Sequence, residues 1–248
     1  MKKPAVVSPT DEVTTVGRVF STPLVVKGRT WIPFTQLAAW GVMARFAKRR
    51  DPARSWPHSL GIGALTSSVI LASEWCHNLA HAAAAKFVGK PMDAIRITWG
   101  MPLVVYHDIN DQTVTPRQHI ARALGGPLFN LLVLPAALLL KNRTEPGTTA
   151  GDVAEAAAAT NAFLPAVGLL PIPGIDGGPI LKWSLVDRGH TPEQADLVVR
   201  KVDGVLGIIL GVAGGIFLKK RHRLAGGFLI ALAGTALSIA LGILKEQD

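Results

Sequence analysis

Long apolar stretches with few charged residues recur along the chain, and most are about as long as a membrane-spanning helix. Crossing the hydrocarbon core of a bilayer takes about 20 mostly apolar residues in helical form. Six stretches meet this requirement or come close to it: residues 31–47, 59–88, 123–140, 156–175, 198–218 and 224–244. The pattern therefore predicts a polytopic membrane protein with about six transmembrane helices.

The first of these stretches, residues 31–47, is the weakest candidate because it is short and contains Arg45. It either spans the membrane or lies in the lipid interface, where Trp31 and Trp40 would anchor it. The number of spans is accordingly six, or five if this segment lies in the interface.

Two other segments have the pattern of β-strands. Residues 94–106 are rich in β-branched residues and are interrupted by Gly100 and Pro102, which is typical of a short hairpin. Residues 15–26 alternate enough to form one strand. The sequence thus predicts an all-α polytopic fold with a short β-rich insertion after the second span.

Composition and charge agree with a membrane protein. Of the 248 residues, 49% are hydrophobic and only 17% are charged, whereas a soluble domain usually carries roughly 25% charged residues. The net charge is +9, and many basic residues cluster at the ends of apolar stretches, where they would face lipid headgroups. No basic face is interleaved with aromatic residues, which argues against a nucleic-acid partner.

Three ionisable residues, Glu74, His77 and His81, interrupt the interior of the second stretch, and Lys86 lies near its end. A charged residue at the centre of a membrane span costs about 2.5–3.5 kcal/mol on insertion scales, so such residues are usually buried and functional. At about 100° of rotation per residue, the three side chains share one helical stripe about 100° wide. Asn78 lies on the same stripe, whereas Cys76 faces elsewhere.

The spacing of four residues between His77 and His81 lets both imidazoles reach one metal ion from a single helical face. The alternative is a pair of membrane histidines that form hydrogen bonds to neighbouring helices. A catalytic zinc ion needs a third protein ligand and one open position. The best candidate ligand is Asp176, which lies in a segment rich in proline and glycine. Irregular backbone at membrane depth is tolerated where it lines a cavity, although an ordinary polar turn has a similar composition.

Three segments resemble, in the same order along the chain, motifs of the site-2 protease family of intramembrane zinc metalloproteases. Residues 77–81, HNLAH, are similar to the family's HExxH helix. Residues 125–130, GGPLFN, resemble its small-Gly-Pro-x-x-Asn motif, and residues 170–178, LPIPGIDGG, resemble its Leu-Pro-x-Pro-x-x-Asp-Gly motif. The specificity of the resemblance comes from the combination of the motifs rather than from any one of them.

This resemblance implies a zinc ion held by His77, His81 and Asp176, with Asn130 lining the substrate-binding pocket. The implied partners are the lipid bilayer and a transmembrane helix of a substrate or client protein. We therefore expect a multi-pass integral membrane protein of a prokaryotic cell membrane.

The resemblance fails at one chemically important position. Asn78 stands where the family has the glutamate that acts as general base, and an amide has no group that titrates near neutrality. The protein is therefore a natural pseudoprotease, an active protease with a displaced base, or a protease inactivated by engineering. Glu74, one helical turn before His77 on the same stripe, is the candidate surrogate base. Its structural alternative is a buried carboxyl group that is protonated or paired with an arginine.

The sequence supports a site-2-protease-like zinc metalloprotease homologue that cleaves or binds transmembrane helices. The alternatives are a non-catalytic pseudoprotease that binds such helices and, with less support, a metal transporter. Three polar residues after the β-rich insertion, His107, Asp108 and His119, are interpreted as a solvated loop rather than as a second metal site. The chain is divided into a polar N-terminal segment with a short strand (residues 1–27), a site-2-protease-like membrane core (28–190) and two C-terminal transmembrane helices (191–248).

Overall fold

The computed structural model describes residues 12–244. The beginning of the predicted polar segment, residues 1–11, lies outside this range, as do residues 245–248. The strands of the described range are β1 (Thr14–Val19), β2 (Thr22–Val26), β3 (Ala94–Thr98) and β4 (Met101–Val105). The helices are α1 (Phe34–Arg50), α2 (Trp56–Phe87), α3 (Pro116–Arg143), α4 (Thr149–Gly168), α5 (Gly177–Asp187), α6 (Pro192–Lys219) and α7 (Arg223–Ala240).

Four of these helices, α2, α3, α6 and α7, are long and apolar enough to cross a membrane. The chain is therefore a polytopic, mostly helical integral membrane protein with a small β-sheet, as the sequence predicts. Two of the six predicted spans are not among the four. Helix α1 has only 17 residues. Helix α4 includes only residues 156–168 of its predicted apolar stretch, and its first turn carries Asp152.

Helix α4 also ends earlier than its apolar stretch, which was predicted to run to residue 175. The helix ends at Gly168, and the following residues form turns. Pro171 and Pro173 explain this end, because proline has no backbone N–H to donate and disfavours helical geometry in the residue before it.

The described part of the chain forms two compact units. The sheet unit comprises residues 12–107 and 124–167, and the C-terminal unit comprises residues 108–123 and 168–244. The sheet unit holds the four strands together with α1, α2, α4 and most of α3. The C-terminal unit holds the first turns of α3 together with α5, α6 and α7.

The sheet has the strand order β1-β2-β3-β4. Strands β1 and β2 are antiparallel, β2 and β3 are parallel, and β3 and β4 form the hairpin that the sequence predicts within residues 94–106. The prediction of one strand over residues 15–26 is wrong, because the chain reverses at Phe20 and Ser21. Both residues have positive φ, as a two-residue hairpin turn can require. Phenylalanine and serine are unusual in that conformation, so the turn left no signal in the sequence.

Within the sheet unit, α1 packs closely on α2. A Cβ at Gly63 would lie 2.6 Å from the backbone nitrogen of Ala44, so only glycine permits this approach. The buried Arg54 guanidinium after α1 forms an ion pair of 2.6 Å with the buried carboxylate of Asp152 on α4. The guanidinium of Arg50 hydrogen-bonds to the carboxylates of Glu155 and Asp152, and these bonds raise the pKa of Arg50 above its ordinary value. These contacts hold the loop between α1 and α2 against the beginning of α4.

The C-terminal unit is built on the helical hairpin of α6 and α7. Glycines allow these two helices to approach, since a Cβ at Gly207 would lie 2.7 Å from Leu237 and one at Gly226 would lie 2.7 Å from Leu218. A hydrophobic cluster of Ile172, Leu210, Ala233, Ala236 and Ile239 fills the contact.

Candidate metal centre

The two histidines of α2 lie side by side inside the sheet unit. Their exposed fractions are only 8% for His77 and 3% for His81, and their Nε2 atoms are 3.1 Å apart. Two nitrogen ligands bound at 2.0–2.1 Å to one tetrahedral zinc ion lie about 3.3 Å apart. The separation of the two Nε2 atoms is close to this value, so the pair is a candidate for binding a single ion.

Helix α3 leaves room for the histidine pair by presenting a glycine to it. A Cβ at Gly126 would lie 2.4 Å from Nε2 of His81 and 2.5 Å from Nε2 of His77. A Cβ at the preceding Gly125 would lie 2.6 Å from the carbonyl oxygen of Ala80. The two glycines thus bring the backbone of α3 against α2 and leave a space, beside both ring nitrogens, that any side chain would fill.

Replacing Gly126 with alanine is expected to displace the histidine rings and to weaken metal binding. Overpacking of this kind also typically costs about 1–3 kcal/mol of stability. Titration of the purified variant with zinc and thermal unfolding in detergent would measure both effects. Gly61→Ala on α2 is the matched control, because its Cβ would meet nothing within 4 Å. Unchanged zinc affinity in Gly126→Ala would contradict the role assigned to this glycine.

Asn130, which the resemblance places in the substrate pocket, contacts a candidate metal ligand. It lies on α3 with an exposed fraction of 0%, and its Oδ1 is 2.6 Å from Nδ1 of His77. Histidines that bind metals usually donate their other ring N–H to a carboxylate, a carbonyl or water. Asn130 supplies an amide oxygen at that position.

Asn78 and Glu74, the two candidates for the base position, contact each other one helical turn apart. The buried Asn78 amide donates to the backbone carbonyl of Glu74 at 2.9 Å and to its Oε1 at 3.5 Å. The Asn78 side chain is therefore directed back along α2, and the carboxyl group of Glu74 lies within reach of the amide.

Asp176, the third predicted ligand, lies in the C-terminal unit at the N-cap position of α5. Its surroundings explain the Gly-Gly pair that follows it. A Cβ at Gly177 would lie 2.2 Å from the carbonyl oxygen of Leu170, and one at Gly178 would lie 2.6 Å from that of Ile172. The two glycines allow the start of α5 to pack against the proline-rich segment. The sequence did not predict α5 itself.

Two polar residues of the site, Asn161 and Ser73, were not predicted as site residues. Asn161 on α4 accepts a hydrogen bond from the Asn130 amide at 2.8 Å and donates one to the hydroxyl of Ser73 on α2 at 3.2 Å. The available signal was a buried asparagine in each of two apolar stretches, which indicates an interhelical hydrogen bond but does not identify its partner.

The interpretation of His119 as part of a solvated loop is wrong. The residue lies in the first turns of α3 with an exposed fraction of 7%, and its ring stacks on Trp183 of α5 at 3.8 Å between centroids. The backbone N–H of His107 donates to Asp93 at 2.8 Å, and Asp108 accepts from the N–H of Asn110 in a local turn.

The buried histidine pair, the glycines that accommodate it and the four long apolar helices together define a polytopic membrane protein with a candidate metal centre. No protein-family model and no curated protein matches the sequence. The structure is similar to the site-2 protease from Methanocaldococcus jannaschii, with a TM-score of 0.52 and 14% identity over 91% of this chain and 95% of that one. The chain therefore has the fold of a site-2 protease.

Proposed function

We propose that this protein is a zinc-binding homologue of the intramembrane site-2 proteases whose hydrolytic activity is impaired. The observation that carries the proposal is the pair of buried imidazoles, whose Nε2 atoms lie 3.1 Å apart in a chain with the site-2 protease fold. Such a pair inside a membrane protein needs a functional reason, because ionisable groups within a span are costly.

His77 and His81 would bind the zinc ion together with Asp176. Two imidazoles and one carboxylate form a donor set that zinc accepts in catalytic sites, and the space beside Gly126 is consistent with an ion at the histidine pair. When bound, zinc lowers the pKa of a coordinated water toward about 7 and polarises a carbonyl group.

The impairment follows from Asn78. A general base must accept a proton, and the amide of Asn78 cannot do so near neutrality. Its contact with Glu74 favours one specific alternative, in which the Glu74 carboxylate accepts the proton from a position one turn earlier on the helix.

The proposed partner is a transmembrane helix of a client protein, presented within the bilayer. Incubating the purified protein with helical membrane substrates, with and without a zinc chelator, tests the proposal. We expect zinc-dependent retention of such a helix with little product. Rapid and complete cleavage that disappears with the chelator and in His81→Ala would reject impairment and favour Glu74 as the base. Neither retention nor product would contradict the proposed function as a whole.

A further inference from the structure

A continuous chain of hydrogen bonds leads away from the candidate metal centre through three helices of the sheet unit. Nδ1 of His77 is 2.6 Å from Oδ1 of Asn130, and the Asn130 amide is 2.8 Å from Oδ1 of Asn161. The Asn161 amide donates in turn to the hydroxyl of Ser73 at 3.2 Å and to the backbone carbonyl of Ala157 at 2.9 Å. All four side chains that these hydrogen bonds join, those of His77, Asn130, Asn161 and Ser73, are buried.

The hydrogen bond from Asn161 to the backbone carbonyl of Ala157 determines the orientation of the side-chain amides of Asn161 and Asn130. A backbone carbonyl can only accept, so the Asn161 atom beside it must be the NH₂ group. Oδ1 of Asn161 therefore faces Asn130 and accepts from its NH₂ group. It follows that Oδ1 of Asn130 faces His77, so Nδ1 of His77 must carry a hydrogen to donate. The amide orientations and the histidine tautomer are in this way deduced from the hydrogen-bond partners, as they must be where hydrogens are not observed.

This tautomer is the one that metal binding at Nε2 requires. A neutral imidazole has one N–H and one lone pair, so a hydrogen on Nδ1 leaves the lone pair on Nε2. Nε2 is also the atom that faces the second histidine at 3.1 Å. The opposite tautomer would place a hydrogen on Nε2 and would set Nδ1 and Oδ1 of Asn130 against each other as two acceptors.

We propose that Asn161 is a positioning residue for the metal centre, acting through Asn130 on the tautomer of His77. The proposal rests on the proposed zinc centre. In this proposal Asn161 binds neither the metal nor the substrate. The backbone carbonyl of Ala157, on the same helix, fixes the orientation of the Asn161 amide, and that amide fixes the orientation of Asn130. In this assignment Asn130 orients the ligand His77 from α3, and Asn161 orients Asn130 from α4.

Zinc affinity, measured by competition with a chromophoric chelator, should fall when the chain of hydrogen bonds is broken. Loss of a partner that orients a ligand typically costs 10–100-fold in metal affinity. We expect Asn130→Leu to fall in this range and Asn161→Leu to lose about tenfold. Asn130→Asp should retain most of the affinity, because a carboxyl group still accepts from His77 and, when protonated, still donates to Asn161. Thr160→Val, a buried neighbour on α4, is the matched control and should not change the affinity.

A second measurement needs no metal. In zinc-free protein with ¹⁵N-labelled histidine, NMR should show the His77 ring with its hydrogen on Nδ1, the signal being assigned by its loss in His77→Ala. The same signal in Asn161→Leu, or in Asn161→Ala if that variant does not fold, should show a mixture of both tautomers. An unchanged tautomer and unchanged affinity in folded Asn161 variants would overturn the inference. If wild-type protein binds no zinc while the tautomer still responds to Asn161, the proposed function fails and the effect of Asn161 on His77 stands.

Discussion

Replacing His77 with alanine should remove zinc from the purified protein. Apparent binding free energies of four-ligand structural zinc sites are about 10–16 kcal/mol, or roughly 2.5–4 kcal/mol for each ligand. Losing one ligand of three should therefore weaken binding by about two to three powers of ten. Metal analysis of protein purified without chelators should give about one zinc per wild-type chain and a small fraction of that in the variant.

The chain provides a matched control for this experiment in His58. This residue lies in the first turn of α2, is exposed, and hydrogen-bonds through its ring to Thr149. His58→Ala therefore removes an imidazole from the same helix but not from the candidate centre, and the zinc content should be unchanged. His81→Ala should behave like His77→Ala. Wild-type protein that purifies without zinc, or His77→Ala that retains it, would contradict the proposed metal centre.

The arrangement of the site's side chains along α2 could be predicted from the sequence, because these residues lie on a single helix. The spacing of His77 and His81 alone places both rings on one face, because the rotation per residue of an α-helix is fixed. The same geometry predicts that Glu74 and Asn78 are neighbours, and the structure shows a hydrogen bond between them.

Contacts between helices could not be predicted in the same way. The sequence shows that Asn130 and Asn161 lie in apolar stretches, but the partner of each depends on how α2, α3 and α4 pack. The role of Gly126 is equally invisible, because a glycine in an apolar helix gives no indication of which side chain faces it. For the fold, the hydrophobic pattern predicted the long helices, whereas it could not place the end of α4, since residues 169–175 are apolar without being helical.

The chemistry at position 78 separates the site's ability to bind metal from its ability to hydrolyse a peptide bond. The side chain of asparagine is one methylene shorter than that of glutamate, and its amide, unlike a carboxylate, cannot accept a proton near neutrality. The hydrogen bond from Asn78 to the Glu74 carbonyl also requires an NH₂ group, which glutamate lacks. A glutamate at this position would therefore lose that contact and would be available to accept a proton.

Asn78→Glu should consequently confer or strongly increase zinc-dependent cleavage of a transmembrane helix. A positioned general base typically contributes about 10²–10⁴-fold to the rate, so the initial rate of product formation should rise at least about a hundredfold. A time course on gels, with a helical substrate in detergent or liposomes, measures this rate. The double variant Asn78→Glu with His81→Ala is the control, and it should give no product.

Comparison with Glu74→Gln decides which residue serves as the base in the natural protein. If Asn78→Glu gains activity and Glu74→Gln leaves the wild-type level unchanged, Glu74 is not a surrogate base. A wild-type protein that gives no product at all is then a pseudoprotease. If wild-type protein cleaves slowly and Glu74→Gln abolishes that cleavage, the carboxylate one turn before His77 performs the proton transfer. An Asn78→Glu variant that is folded, binds zinc and cleaves no faster than wild type would show that the missing base does not limit hydrolysis.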